Sequence, residues 1–377
     1  MHLRTSLISL LLVTLLTLLI APVFALDAPM VSTYRQVYVF AGPGHTHTQI
    51  GLLDPGIPIQ IVERNRVGNW VRIQRMGNDG GVILDGWIIS GYLRYTPELR
   101  YSLIPVNYAE PDHNPGNAAY ASFAELYRAP LVSPIDELMV EIFDMGQDLG
   151  NNPNGVTKVG DSLLVSQQIL NVMSRTDNVL GPYDFLAPTI AFYGQGITPY
   201  SVANTVGMST FTVLDPMWAP GGSCLPNEAP LTCEYRIRKP SVAFILFGPN
   251  DLRASDSVMF GRNIARIVDE TLAAGIIPVL STFSLDQESD LFWSGINFNL
   301  ELKRVAEERH VPLINLWGAA RPLPAYGLDQ DRVHLLLTGW DNLRLDGGQE
   351  AFSGAALYNL LAIYTLDTIR AAVGLGA

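Results

Sequence analysis

The chain has 377 residues, enough for two domains with a large buried core. It is 48% hydrophobic and 16% charged, a balance that excludes a disordered chain. Its net charge of −12, with no basic run to offset it locally, speaks against nucleic acid or an anionic membrane as a general partner.

Residues 1–25 read as a targeting segment. Arg4 supplies a positive end, Ser6 to Ile20 is apolar, and Val23-Phe24-Ala25 offers small residues at the −3 and −1 positions of a cleavage site. The expectation is a secreted or extracytoplasmic, cell-surface protein. An uncleaved N-terminal anchor is the alternative, because Leu7 to Ala25 is nearly long enough to span a bilayer.

Residues 31–97 read as an all-β unit. Val37 to Phe40 alternate and Gly42-Pro43-Gly44 turns. Short strands follow around Gly51 to Leu53, Ile59 to Val62, Trp70 to Ile73 and Gly86 to Ile89. The Gly-Pro-Gly turn, Trp70-Val71-Arg72, and Gly86-Trp87-Ile88 leading to Gly91-Tyr92-Leu93 resemble the bacterial SH3-like domain. That resemblance implies a module attaching an exported enzyme to cell-wall peptide or glycan. His45-Thr46-His47 reads as a solvated turn, since no third metal ligand accompanies it.

Residues 98–128 form a connector rich in Asn, Asp, Pro and Gly between Asn107 and Asn117. From residue 129 to 377 strands and helices alternate. Ser133-Pro134-Ile135-Asp136-Glu137 predicts a capped helix start running to about Met145. Val156 to Val159 predicts a strand, Gly160 a tight turn, and the spacing of Val165, Ile169, Val172 and Met173 one face of a helix. Thr189 to Tyr193, Ser241 to Phe247, Ile276 to Leu280 and Val311 to Leu316 are strand candidates. Helix faces are marked by Phe260, Ile264, Ile267 and Val268, by Trp293 to Arg309, and by Leu357, Leu360, Leu361 and Tyr364. Such alternation implies a parallel sheet covered by helices on both faces, with ligands beyond the carboxyl ends of the strands.

Three places carry chemistry. Ser162 follows the first strand of this sheet in Gly160-Asp161-Ser162-Leu163-Leu164. Asn250 follows the apolar strand in Gly248-Pro249-Asn250-Asp251. Asp331-Arg332-Val333-His334 precedes the last helix. An aspartate three residues before a histidine can reach its Nδ1–H and fix the tautomer, leaving Nε2 to take a serine proton. An asparagine amide and a backbone N–H after a turn can hold a developing oxyanion.

In this order the blocks resemble the SGNH hydrolases, or GDSL-type esterases. The resemblance implies a three-layer, flavodoxin-like parallel sheet with Ser162 as nucleophile, His334 as base and Asp331 as its orienting acid. Ser162, Gly207 and Asn250 then form the oxyanion hole. The block supplying the glycine matches loosely, and Gly196 rivals Gly207. The implied activity is carboxylester hydrolysis, with an ester of carbohydrate or a small acyl ester as substrate. A lipase or lysophospholipase, or an inactive wall-binding protein, are the alternatives. No metal and no organic cofactor are called for. Cys224 and Cys233, in the loop Pro220 to Cys233, are expected to form a disulfide in an exported protein.

Overall fold

The computed structural model describes residues 30–33, 36–44, 47–65, 70–94, 104–107, 124–289 and 291–375. The expected targeting segment, His45 and most of the connector lie outside the described residues.

The N-terminal unit is an antiparallel sheet. Its strands are β1 (Met30–Thr33), β2 (Val37–Phe40), β3 (Gln49–Leu53), β4 (Ile59–Asn65), β5 (Trp70–Met76), β6 (Val82–Ile89) and β7 (Leu93–Arg94). They run in the order β3-β2-β6-β5-β4-β1-β7. A short β8 (Val106–Asn107) from the connector pairs parallel with β4. Alternation along the strands sends Val39, Ile59, Ile61, Val71, Ile73 and Ile88 into one core. Phe40 meets Trp70 edge to face there, with ring centroids 5.6 Å apart. Ile104, from the connector, also packs into this core.

The second unit is α/β. Helix α1 (Leu138–Asp148) leads into β9 (Asn152–Gly160), and β10 (Pro240–Leu246), β11 (Ile277–Ser281) and β12 (Leu313–Ile314) complete a parallel sheet in the order β12-β11-β10-β9. All seven residues of β10 are buried, as a strand covered on both faces requires. Beyond β9, parallel bridges Val156–Ile197 and Gly160–Asn204 lay residues 197–204 along its outer edge. The chain therefore leaves β9 toward one side and returns as β10 on the other. Doubly wound sheets open a crevice at such a switch point, above the strands' carboxyl ends. Leu126, assigned above to the connector, is fully buried in the α/β core, so that core reaches further back than residue 129.

Several local expectations need correction. The face Val165, Ile169, Val172, Met173 is not one helix. Helix α2 spans only Ser162–Val165, Leu170 has a positive φ of 64°, and a 3₁₀ turn covers Asn171–Ser174. Side chains from elsewhere take the backbone groups a helix would have paired. Lys158 Nζ donates to Leu164 O, and Asn359 binds both Gln168 O and Leu170 N–H. The apolar spacing still marks burial, since Ile169, Val172 and Met173 are inside.

Thr189 to Tyr193 is helical, within α3 (Ala187–Tyr193). Pro188 sits in its first turn, and the residues it buries are Thr189 and Tyr193, four apart. Ser133 does not cap α1; Asp136 Oδ1 accepts from Leu138 N–H, while Ser133 Oγ accepts from Leu313 N–H at the sheet edge. Only Leu313–Ile314 of the predicted last strand pairs, because Asn315 turns to cap α8 (Leu316–Ala320). The intervening helices are α4 (Pro230–Arg238), α5 (Asp251–Ala254), α6 (Ser257–Ala273) and α7 (Phe292–Arg309). The last, α9 (Gly354–Ala372), buries Leu357 and Leu361 but leaves Tyr364 half exposed.

Candidate active site

Gly160 ends β9 where the two central strands come closest. A Cβ there would stand 2.4 Å from Leu246 O, so only glycine lets the chain turn at that point. Asp161 follows as the N-cap of α2, its Oδ1 accepting from Leu163 N–H at 2.9 Å. This lifts Ser162 to the start of the short helix, partly exposed above the sheet.

Asn250 stands at the N-cap of α5, yet its side chain caps nothing. Its Nδ2 instead donates to Met208 O at 2.9 Å, leaving a second N–H proton on the same amide for another acceptor. Next to it, Asp251 grips the same loop. Its carboxylate accepts from Thr210 N–H at 3.0 and 3.2 Å and from Thr210 Oγ1 at 2.5 Å. Asn263 Nδ2 donates to Thr210 Oγ1 from α6. Residues 207–210 are thereby fastened to the Gly-Pro-Asn-Asp turn. Gly207, at φ +81°, lies in this fastened loop with open space where a Cβ would sit. Its rival Gly196 does not: a Cβ there would fall 1.8 Å from Asn154 O, near the start of β9. Six strand residues, about 20 Å, separate that end from Gly160.

Residues 328–335 form a tight loop closed by an antiparallel bridge between Leu328 and Leu335. Asp331 Oδ2 meets His334 Nδ1 at 2.5 Å, and Asp331 Oδ1 accepts from the N–H groups of Val333 and His334. Burial works against the Asp331 charge, but these bonds outweigh it and hold the carboxyl below its usual value. No direct hydrogen bond joins Ser162 Oγ to the imidazole; such contacts commonly tighten only around a substrate.

Asp161 N–H donates to Leu246 O at 3.4 Å, which sets the serine turn beside the end of β10. The Asp161 carboxyl is pushed up to about 7, first by burial; the nearby Asp251 charge adds to the rise, while the bond from Leu163 N–H and the nearby His334 charge oppose it. Oδ2 of Asp161 is buried and unpartnered. Burial likewise pushes Asp251 up to about 6, against its bonds from Thr210. Residue-type reasoning gave neither acid a role, although both lie within the quoted motifs. Lys158, buried in β9 with its Nζ on Leu164 O, gave no sequence signal beyond a charge in an apolar run; burial lowers it to about 8.

The Cys224–Cys233 disulfide is present, with Cα atoms 5.3 Å apart. Cys233 belongs to α4 rather than to a loop and is fully buried. With Glu228 the two sulfurs form a cluster of metal-ligand type, but the bridge removes both thiolates. Among the described residues that is the one such group, and no described helix is long and apolar enough to cross a membrane.

Together these features define an antiparallel SH3-like unit followed by a doubly wound α/β unit with a crevice at its switch point. The bacterial SH3 domain family model matches residues 35–94. Among curated protein sequences there is no match. The α/β part aligns with several solved structures. TesA is 18% identical, with 57% of this chain and 99% of that one covered and a TM-score of 0.38. The psychrotrophic esterase EstA from Pseudoalteromonas sp. is 15% identical over 59% and 99% (TM-score 0.34). A variant of Axe2, an acetyl xylan esterase from Geobacillus stearothermophilus, is 15% identical over 58% and 95% (TM-score 0.36). The chemistry below is drawn from the side chains of this protein rather than from those likenesses.

Proposed function

We propose that this protein is an exported serine carboxylester hydrolase. Ser162 Oγ attacks the ester carbonyl carbon and its proton passes to His334 Nε2, while Asp331 holds the ring through Nδ1. The carbonyl oxygen, now negative, is met by the N–H groups of Ser162 and Gly207 and by the free amide proton of Asn250. Collapse expels the alcohol, which takes the proton back from His334. Water then enters by the same route and releases the acid and Ser162.

The observation that carries this reading is the register of the two central strands. Gly160 pairs with Leu246, so Ser162 and the Gly248–Asp251 turn leave the sheet side by side, and Asn250 and Asp251 tie the Gly207 loop to that turn. The charge of His334 acts on Asp161, one residue from Ser162. An ordinary helix cap on Asn250 would have been the plain alternative, and its side chain is not used that way.

A fluorophosphonate probe should label Ser162 in the wild type and nothing in Ser162→Ala. Peptide mapping names the residue. Wild type and Ser162→Ala with equal, background turnover across a broad ester panel would end the proposal.

A longer acyl group is the second reading. Val206 and Phe211, flanking the Gly207 loop, are 75% and 64% exposed. Large apolar side chains left in water beside a site suit an apolar ligand. Comparing p-nitrophenyl acetate with long-chain esters separates it from deacylation of wall or environmental carbohydrate. Attachment to cell-wall peptide or glycan belongs to the SH3-like unit in this proposal, and a wall pull-down with Ser162→Ala tests it.

A further inference from the structure

The two units are joined at the loop that carries His334. Tyr326, from the α/β chain, is 1% exposed and packs within the core of the SH3-like unit. Its hydroxyl donates to Gln287 Oε1. On its other side lies Arg321, fully buried, with its guanidinium 3.9 Å from the Tyr326 ring centroid and 4.9 Å from that of Trp317. Arg321 donates to Leu285 O at 2.6 Å, and Ser284 Oγ donates to Tyr326 O at 2.7 Å. Residues 284–288 are thus clamped to the joint.

That clamped segment presents Asp286 and Glu288 to Arg332. Arg332 Nη1 lies 2.5 Å from Asp286 Oδ2 and 3.0 Å from Glu288 Oε2. The same guanidinium stands 5.8 Å from the ring centroid of Tyr92, in the last turn of the SH3-like unit. Arg332 occupies the tip of the 328–335 loop, one residue after Asp331 and two before His334. Its φ is +59°, a conformation that an arginine keeps only when its surroundings hold it. The loop is closed at its base by the Leu328–Leu335 bridge, and the Arg332 side chain ties its tip to Asp286 and Glu288 outside it.

We infer that the SH3-like unit is a working part of the hydrolytic site: Tyr92 and the segment clamped by Tyr326 hold Arg332, and Arg332 sets the position of the Asp331–His334 pair. Arg332 is a positioning residue, since it touches neither Ser162 nor the oxyanion donors. The inference rests on the proposed role of His334, and it changes what the SH3-like unit is for. A module that only anchors the protein has no need of an aromatic ring beside the arginine between the acid and the base.

The test uses the full chain with Arg332→Gln, Arg332→Lys, Tyr92→Leu and the Arg332→Gln/Tyr92→Leu double variant, where leucine keeps an apolar side chain in the SH3-like core. Two quantities are read: kcat and KM on p-nitrophenyl acetate, and the hydrogen-bonded Nδ1–H resonance of His334 in histidine-labelled protein, assigned by its loss in His334→Asn. Arg332→Gln should lower kcat by about 10- to 100-fold with KM within about threefold, as expected for a misplaced base with intact binding. It should also broaden the Nδ1–H signal. Tyr92→Leu should do the same more weakly, by about 3- to 10-fold, although it lies in the other unit. Arg332→Lys should recover most of the loss, and the Arg332→Gln/Tyr92→Leu double variant should be no worse than Arg332→Gln alone. An unchanged His334 resonance in both Arg332→Gln and Tyr92→Leu overturns the inference. So does a kcat loss that merely tracks the unfolded fraction. If the wild type hydrolyses no ester, the proposed function falls, while the resonance still decides whether Tyr92 and Arg332 hold the histidine.

Discussion

Replacing Asp161 with asparagine separates the cost of the buried acid from its use. In the folded chain this carboxyl is pushed up to about 7 by burial, against an ordinary value of 3.8. Between those values the folded protein keeps a proton that the unfolded chain has lost. Its contribution is therefore fully present below about pH 4 and is lost as pH rises through 7, at about 1.4 kcal/mol per pH unit. Over three units that amounts to on the order of 4 kcal/mol. Asparagine removes the titration, keeps an acceptor for the Leu163 N–H, and sets an NH₂ where Oδ2 has no partner, costing about 1–3 kcal/mol. The variant should be less stable than wild type by that amount at pH 4, and more stable by about 1–3 kcal/mol at pH 8. Asp251, raised for the same reason, and Asp331, held low, titrate in both proteins and largely cancel in the difference. Urea unfolding followed by tryptophan fluorescence at pH 4, 6 and 8 measures it. Parallel stability curves, with a constant offset between variant and wild type, would refute the reasoning.

Asn250→Ala should lower kcat by about 10²–10³ with little change in KM, measured on a short-chain ester, because it removes one oxyanion donor. Opening the Cys224–Cys233 bridge by a double serine substitution should cost about 2.5–3 kcal/mol on the chain-entropy model, for a sequence separation of 9, as read by denaturant midpoint with and without reductant. Gly160→Ala should destabilise by several kcal/mol in thermal unfolding, because its Cβ would lie 2.4 Å from Leu246 O. Gly207→Ala has open space and should cost only about 1 kcal/mol, from its positive φ.

The sequence exposed what is local and hid what is distant. A seven-residue apolar run has few ways to sit other than as a central strand, and β10 does so. The Gly-Asp-Ser and Gly-Pro-Asn-Asp turns were legible because glycine and capping acids mark strand ends by their own stereochemistry. The Asp331–His334 contact needs only three residues of spacing. By contrast, the stretch after Val165 has helical spacing but is held open by Asn359, about 190 positions away, and by Lys158 from inside the sheet. No window along the chain contains those partners. Thr189 to Tyr193 misled through composition: β-branched and aromatic residues suggested a strand, while Pro188 and the four-residue interval between buried positions indicated a helix. Arg332 carries no local signal, since its partners are Tyr92, in another unit, and Asp286.

The grip of Asn359 on residues 168 and 170 also sets an order of events. Residue 359 is synthesised about 190 positions after this stretch, yet the backbone that follows Ser162 takes its shape from helix α9. A chain still emerging from the ribosome, or one clipped before residue 359, lacks the clasp that shapes this turn. The turn after Ser162 therefore takes its final shape only once residue 359 is in place, and a truncation before it should loosen that turn as well as strip Leu361, Ile363, Leu366 and Ile369 from the core.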